Sequence, residues 1–238
     1  LSFTHKPAGE QAVNEFLSRG AFPGLIKTGH TEALHQLYTE ILCKDAVIAG
    51  GIRDRNTLQR MALHLITNTG EPVTANKLRE KLKIKAVSTA AEHMQCIETA
   101  GLVRFVSILS DNPARQAVNP RKVYAVDTAL AAAVSTAETV DRNKLFETML
   151  FNHLCRESRS VCYTNEQGGC DFIASDAEGG VRCIQACYDD DPDLMQTKTD
   201  GLLGASRGTI VTADRNDRID AENFEIEVID ADTFLGGY

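Results

Sequence analysis

From about residue 136 onward the apolar residues stop recurring only at helical spacing and begin to fall in short runs bounded by turn residues. That change of rhythm limits what the chain can fold into. A helix is expected from about Arg142 to Glu157, with Leu145, Met149, Leu150 and Leu154 turned inward. Three strand-length runs follow: VCYT at 161–164, CDFIA at 170–174 and RCIQACY at 182–188. Asp191 and Pro192 then supply the N-cap and first position of another helix. TIVTA at 209–213 and FEIEVID at 224–230 give two more strands. The expected order is α-β-β-β-α-β-β, which places the chain in the α/β class. No internal repeat or low-complexity segment is present.

Up to about residue 99 the chain keeps the helical period. In TEALHQLYTEILCKDAVI, Leu34, Leu37, Tyr38, Ile41 and Leu42 share one face, with Thr31 as the expected N-cap. Gly20, Pro23 and Gly24 break the stretch before it, so RGAFPGLI is expected to be a loop or tight turn. LQRMALHLITNT places Leu58, Met61, Leu65 and Ile66 inward, and Gly70 and Pro72 close it. In residues 74–126, Thr74 can cap the short helix ANKLREKL. A turn at Lys83 and Ile84 follows, then a helix from about Val87 to Thr99 ended by Gly101. Leu102–Leu109 and KVYAV are expected as strands on either side of the polar loop SDNPARQAVNP. Helix, turn, helix and two-stranded wing make the winged helix-turn-helix pattern.

Charge divides the chain in the same way. Residues 1–135 carry 16 Lys and Arg against 12 Asp and Glu, net +4; residues 136–238 carry 9 against 21, net −12. Two domains with different partners are expected, about 1–135 and 136–238, and the acidic one should repel nucleic acid at long range. The seven cysteines are odd in number, form no C-x-x-C pair and fit no zinc spacing, so reduced core thiols are expected rather than a disulfide framework. No apolar run approaches the roughly 20 residues that span a bilayer. LSFTHKPAGE has no basic stretch followed by an apolar core. The expectation is a cytoplasmic chain with no membrane partner. Its start at Leu1 is expected not to be the natural one.

The candidate binding residues lie in the helix-turn-helix segment. From Lys77 to Lys122 there are nine basic and four acidic residues. Lys77, Lys83, Lys85, Arg115, Arg121 and Lys122 are the cations for phosphate contacts. Ser88, Thr89, Glu92 and His93 are polar positions on the second helix that could face a groove. A solvated amphipathic helix has the same composition, and winged helices also contact proteins, so DNA and a second protein both stand as partners. The histidines form no H-E-x-x-H pair, and no metal site is expected.

The α-β-β-β-α-β order resembles the restriction-endonuclease-like fold. In that fold's signature an Asp opens one strand, and a Glu and a Lys two residues apart lie on the next. The carboxylates hold Mg²⁺ and the Lys orients or activates water. Asp171 matches the Asp. Gln185 stands where the Glu belongs and Cys187 where the Lys belongs, and Glu147 on the preceding helix matches an extra acidic residue of some members. Gln185 has no charge and Cys187 is no cation, so the expected site is degenerate and non-catalytic.

EFLSRGAFPGLI, LYTEILCKDAV, KVYAVDTAL, KLFETMLFNHL and CDFIASDAEGGVRCIQACYD, in this order, resemble the C-terminal region of a group of bacterial and archaeal AAA+-type P-loop ATPases. That region is a domain of unknown function that follows the ATPase domain. The resemblance implies an N-terminal ATPase domain as partner, with ATP and Mg²⁺ as its cofactors. The chain itself has no G-x-x-x-x-G-K-[ST] loop, so no cofactor is expected in it and it should not hydrolyse ATP. The expected function is a non-catalytic recognition or regulatory module of such an ATPase. The alternatives are a metal-dependent nuclease and a protein-interaction scaffold.

Overall fold

A computed structural model describes residues 9–22, 31–44, 52, 54–110, 112, 120–135, 140–165, 169–189, 191–203, 205, 207–221 and 224–236. It is mixed helix and strand with two sheets. The chain falls into two compact units, one of Arg19–Thr148 and one of Leu1–Ser18 with Met149–Tyr238. The expected division was at 135/136. The observed boundary instead falls inside a helix, and the N-terminal segment belongs with the C-terminal unit.

In the Arg19–Thr148 unit, α2 (Thr31–Glu40) packs on α6 (Thr128–Val134), and α3 (Arg55–Thr67) packs against α6 and α5 (Val87–Thr99). The inward side chains expected of α3, namely Leu58, Met61, Leu65 and Ile66, are fully buried. Asp54 caps α3 by accepting from the Thr57 N–H. Thr74 caps α4 (Ala75–Leu82) by accepting from the Lys77 N–H. The chain turns to α5 through Lys83, held in the left-handed region at φ 56°. Gly101, at φ 76°, follows α5.

β2 (Val103–Val106) and β3 (Arg121–Ala125) pair antiparallel, and β1 (Pro72–Val73) adds a short strand on the other side of β3. Pro72 was expected only to end a helix. It opens an edge strand instead, where a missing N–H is tolerated. The Ala-rich α6, capped by Asp127 through the Leu130 N–H, was not expected from the sequence.

The second unit is built on a six-stranded sheet. β4 (Ser160–Thr164), β5 (Cys170–Ser175) and β6 (Val181–Cys187) form an antiparallel meander. β7 (Gly208–Thr212) lies parallel to β6 and to β9 (Phe224–Asp230), and β8 (Asp217–Ala221) closes the edge antiparallel to β9. All five residues of β7 are buried, as expected of a parallel strand in the middle of a sheet.

The parallel β6–β7 step needs a crossover, which α8 (Pro192–Asp200) provides. Asp191 caps it by accepting from the N–H groups of Asp193 and Leu194. The end of α7 (Arg142–Glu157) lies on the sheet, where Phe151 stacks with Phe172 at 6.0 Å. Tyr188, just past β6, donates its hydroxyl to Asn14 on α1 (Glu10–Arg19) at 2.6 Å, which ties the N-terminal helix to this unit. β8 and a last helix, α9 (Ala231–Gly236), were not among the expected elements.

Candidate functional site

Strand pairing puts Asp171 on β5 beside Gln185 on β6. The regular ladder runs from Phe172↔Ile184 to Ser175↔Val181. One step beyond it, side chains take over. Gln185 Oε1 accepts from the Asp171 N–H at 3.1 Å, and its Nε2 donates to the Gly169 carbonyl at 2.8 Å. One amide thus satisfies a donor and an acceptor of the neighbouring strand. Gly201 allows this packing: a Cβ there would lie 2.1 Å from the Gly169 oxygen and 2.3 Å from Gln185 Nε2.

The Asp171 carboxylate is also engaged. Oδ2 accepts from the Ala186 N–H at 3.0 Å and from the Lys198 ammonium at 2.5 Å. The Lys198 and Asp171 side chains are only 17% and 11% exposed. Lys198 is the residue that sequence reading missed. It sits on α8, 27 residues from Asp171, and only the β6–α8–β7 crossover returns it to the strand. Cys187 is buried, with its thiol toward the Asp189 carbonyl at 3.4 Å.

Glu147 belongs to the other unit, where it is fully used. Its Oε1 accepts from Lys122 Nζ at 2.8 Å and from the Tyr124 hydroxyl at 2.6 Å. Lys122 and Tyr124 are two apart on β3 and so share a face. This corrects the expectation for Lys122: its side chain is 15% exposed and turned to Glu147, away from the solvent-facing cations. The period-two step to the apolar Tyr124 was the available signal.

Lys77, Lys83, Lys85 and Ser88 are exposed, and Thr89 is half-buried. Arg121 is half-buried with its guanidinium 4.5 Å over the Phe105 ring. Arg115 lies outside the described residues. His93 is corrected as well: it is 3% exposed and packed inward, while Glu92 on the same helix is exposed. Burial lowers the His93 pKa, against the opposing pull of Asp54 and Glu92.

A groove of about 190 Å³ opens between α3, β1 and α4, and Lys77, Lys81 and His64 are among its lining residues. Among the described residues, no three His, Cys, Asp or Glu side chains gather as a metal would require. Among them, too, no helix is long and apolar enough to cross a membrane.

No curated protein and no solved structure matches the chain. Residues 10–141, which cover most of the Arg19–Thr148 unit, match the family described as Domain of unknown function (DUF8612), and the chain belongs to that family.

Proposed function

We propose that this chain is a non-catalytic recognition or regulatory module, acting with the P-loop ATPase domain implied by its resemblance and binding duplex DNA through the Arg19–Thr148 unit. In this reading α4, the turn at Lys83, α5, β2 and β3 form a winged helix-turn-helix, and the six-stranded unit is a nuclease-like fold that has lost its chemistry. ATP and Mg²⁺ would be ligands of the ATPase domain.

The observation that carries the non-catalytic half is the closure around Asp171. Its carboxylate already holds the Ala186 N–H and the Lys198 ammonium. The position opposite, Gln185, spends its amide on the backbone. A divalent ion would have to displace Lys198 and would find one carboxylate where two are needed. The DNA half draws on the exposed Lys77, Lys83 and Lys85.

Binding to a short duplex should weaken steeply as salt rises, because each neutralised phosphate releases counterions. Lys77→Ala, Lys83→Ala and Lys85→Ala should weaken it for all sequences alike. A flat salt response, or no binding at low salt, would leave a protein-interaction scaffold as the surviving reading.

One observation favours the nuclease alternative: Lys198 brings a cation to Asp171, as the missing strand lysine would. Plasmid incubated with the protein and Mg²⁺ or Mn²⁺ should remain intact. Cleavage that disappears in Asp171→Ala would establish the nuclease.

A further inference from the structure

We infer that the groove between α3, β1 and α4 is an oxyanion site that takes a phosphoryl group. Three features converge there. The first is two cations with no salt-bridge partner among the described residues. Lys77 and Lys81 lie four apart on α4, both exposed and both lining the groove. Like charges at that spacing repel. Among the described residues neither ammonium forms a salt bridge, whereas Arg79 between them pairs with Glu80 and Lys144 pairs with Glu71. Glu71 is the one carboxylate in the lining, and that pairing with Lys144 neutralises it.

The second feature is a histidine with a fixed donor. The Asn68 amide nitrogen donates to His64 Nδ1 at 2.9 Å and to the His64 carbonyl at 2.7 Å. Both amide hydrogens are then used, so Nδ1 is the acceptor and the ring proton sits on Nε2. Burial, and then the positive charge of Lys81, hold the His64 pKa below its ordinary value. At neutral pH the ring is an uncharged N–H donor close to a lysine.

The third feature is room and shape. The groove has space for several waters at about 30 Å³ each, and the buried side chains of Val73 and Leu78 are part of its wall. A tetrahedral anion there would meet two ammonium groups and one neutral donor, the charge-assisted set that recognises phosphate. The site goes beyond the DNA reading and does not require it, since a free phosphate or a backbone phosphate presents the same chemistry.

The test is an NMR titration of the full chain that follows the His64 imidazole. With inorganic phosphate, the bound anion should raise the His64 pKa and shift its ring resonances saturably, while chloride at equal ionic strength should not. In Lys77→Gln/Lys81→Gln the phosphate affinity should fall about tenfold or more, with thermal unfolding used to confirm that the variant is folded. A second arm uses a short DNA duplex. The His64 response with both probes makes the groove a backbone-phosphate subsite, and a response with inorganic phosphate alone makes it a site for a free phosphoryl ligand. No His64 response to phosphate, or one that chloride or the double variant reproduces, overturns the inference. Failure of duplex binding with the phosphate response intact would count against the DNA reading only.

Discussion

Each unit buries one carboxylate beneath a lysine, and the two pairs are shielded to nearly the same degree: 15% and 14% exposed for Lys122–Glu147, 17% and 11% for Lys198–Asp171. They differ in what else they hold. Glu147 is met by two side chains of β3, so the pair fastens a helix to a strand. Asp171 also accepts a backbone N–H, and its own N–H is held by Gln185, so its pair stands in for a rung of the sheet ladder. The settings differ in charge as well. The Arg19–Thr148 unit carries 17 Lys and Arg against 13 Asp and Glu, net +4, and the remainder carries 8 against 20, net −12. A cation buried in the acidic unit is therefore withdrawn from a surface that has few. The buried cation of the basic unit leaves many others free for a partner.

The largest effects should come from breaking these pairs. Removing one partner leaves a buried charge without compensation, which costs about 3–5 kcal/mol. Glu147→Ala and Asp171→Ala should each lose stability of that order in denaturant unfolding. The contrast lies in the double variants. Lys122→Met/Glu147→Leu should recover most of the loss, because what Glu147 Oε1 accepts from besides Lys122 is the Tyr124 hydroxyl, at a half-buried site where water can replace it. Lys198→Met/Asp171→Leu should recover less, because the Ala186 N–H stays buried and unpaired, at about 1–3 kcal/mol. Equal recovery in the two doubles would remove the distinction between a fastening pair and a ladder pair.

What the sequence made legible was local. The inward face of α3 and the caps Thr74 and Asp191 depend on neighbours within four residues, and each is found where spacing and cap chemistry put it. β8 was missed because DRIDA alternates charge with apolar residues weakly, as an edge strand does, and offers no apolar run. α6 was missed because TALAAAV is too small and uniform to show a period. At the site, Asp171 and Gln185 were legible as opposing strand positions. Lys198 was not, since its reach to Asp171 exists only once α8 crosses from β6 to β7. Lys122 groups with the surface cations in sequence because a strand residue's charge does not reveal its face.

A second, smaller contrast concerns pH. Burial lowers the pKa of His64 and His93 in the basic unit and of His153 in the acidic one. A lowered folded pKa means stability fully present above the ordinary value of about 6.5 and lost as pH falls through the folded values. Asp127, in the basic unit, works the other way. Burial raises its pKa despite bonds from the Ala21, Leu130 and Ala129 N–H groups. Its contribution is fully present below the ordinary value of about 3.8 and is lost as pH rises through the raised one. The basic unit should therefore lose stability from both directions, and the burial-raised thiol of Cys162 gives the acidic unit an alkaline loss of its own. Amide exchange, corrected for intrinsic rate, should accelerate in α3 and α5 between pH 7.5 and 5.5. His93→Leu should remove part of that response, because the buried Nδ1 has no hydrogen-bond partner among the described residues. An unchanged response in the variant would clear His93 of the effect.

The smallest effect tests whether the basic unit keeps its cations at the expense of stability. Lys83 is the one non-glycine residue with positive φ among those described, at φ 56° and ψ 43°, where it ends α4 and the Ile84 N–H reaches back to the Arg79 carbonyl. Glycine is the residue usually found at such a helix end, because a Cβ is crowded there. Lys83→Gly should relieve that crowding, and the extra freedom of glycine in the unfolded chain offsets part of the gain, so a net stabilisation of about 0.5–1 kcal/mol is expected. Lys83→Ala removes the same charge but keeps the Cβ, so its stability should stay near that of the parent. On duplex DNA the two variants should be indistinguishable, both weaker than the parent and with a shallower salt dependence, because each loses one phosphate contact. A lysine held where glycine would be more stable is then explained by its charge. Equal stability of the two variants would remove the strain at this turn, and unchanged DNA affinity in both would take Lys83 off the binding face and leave the strain without a functional reason.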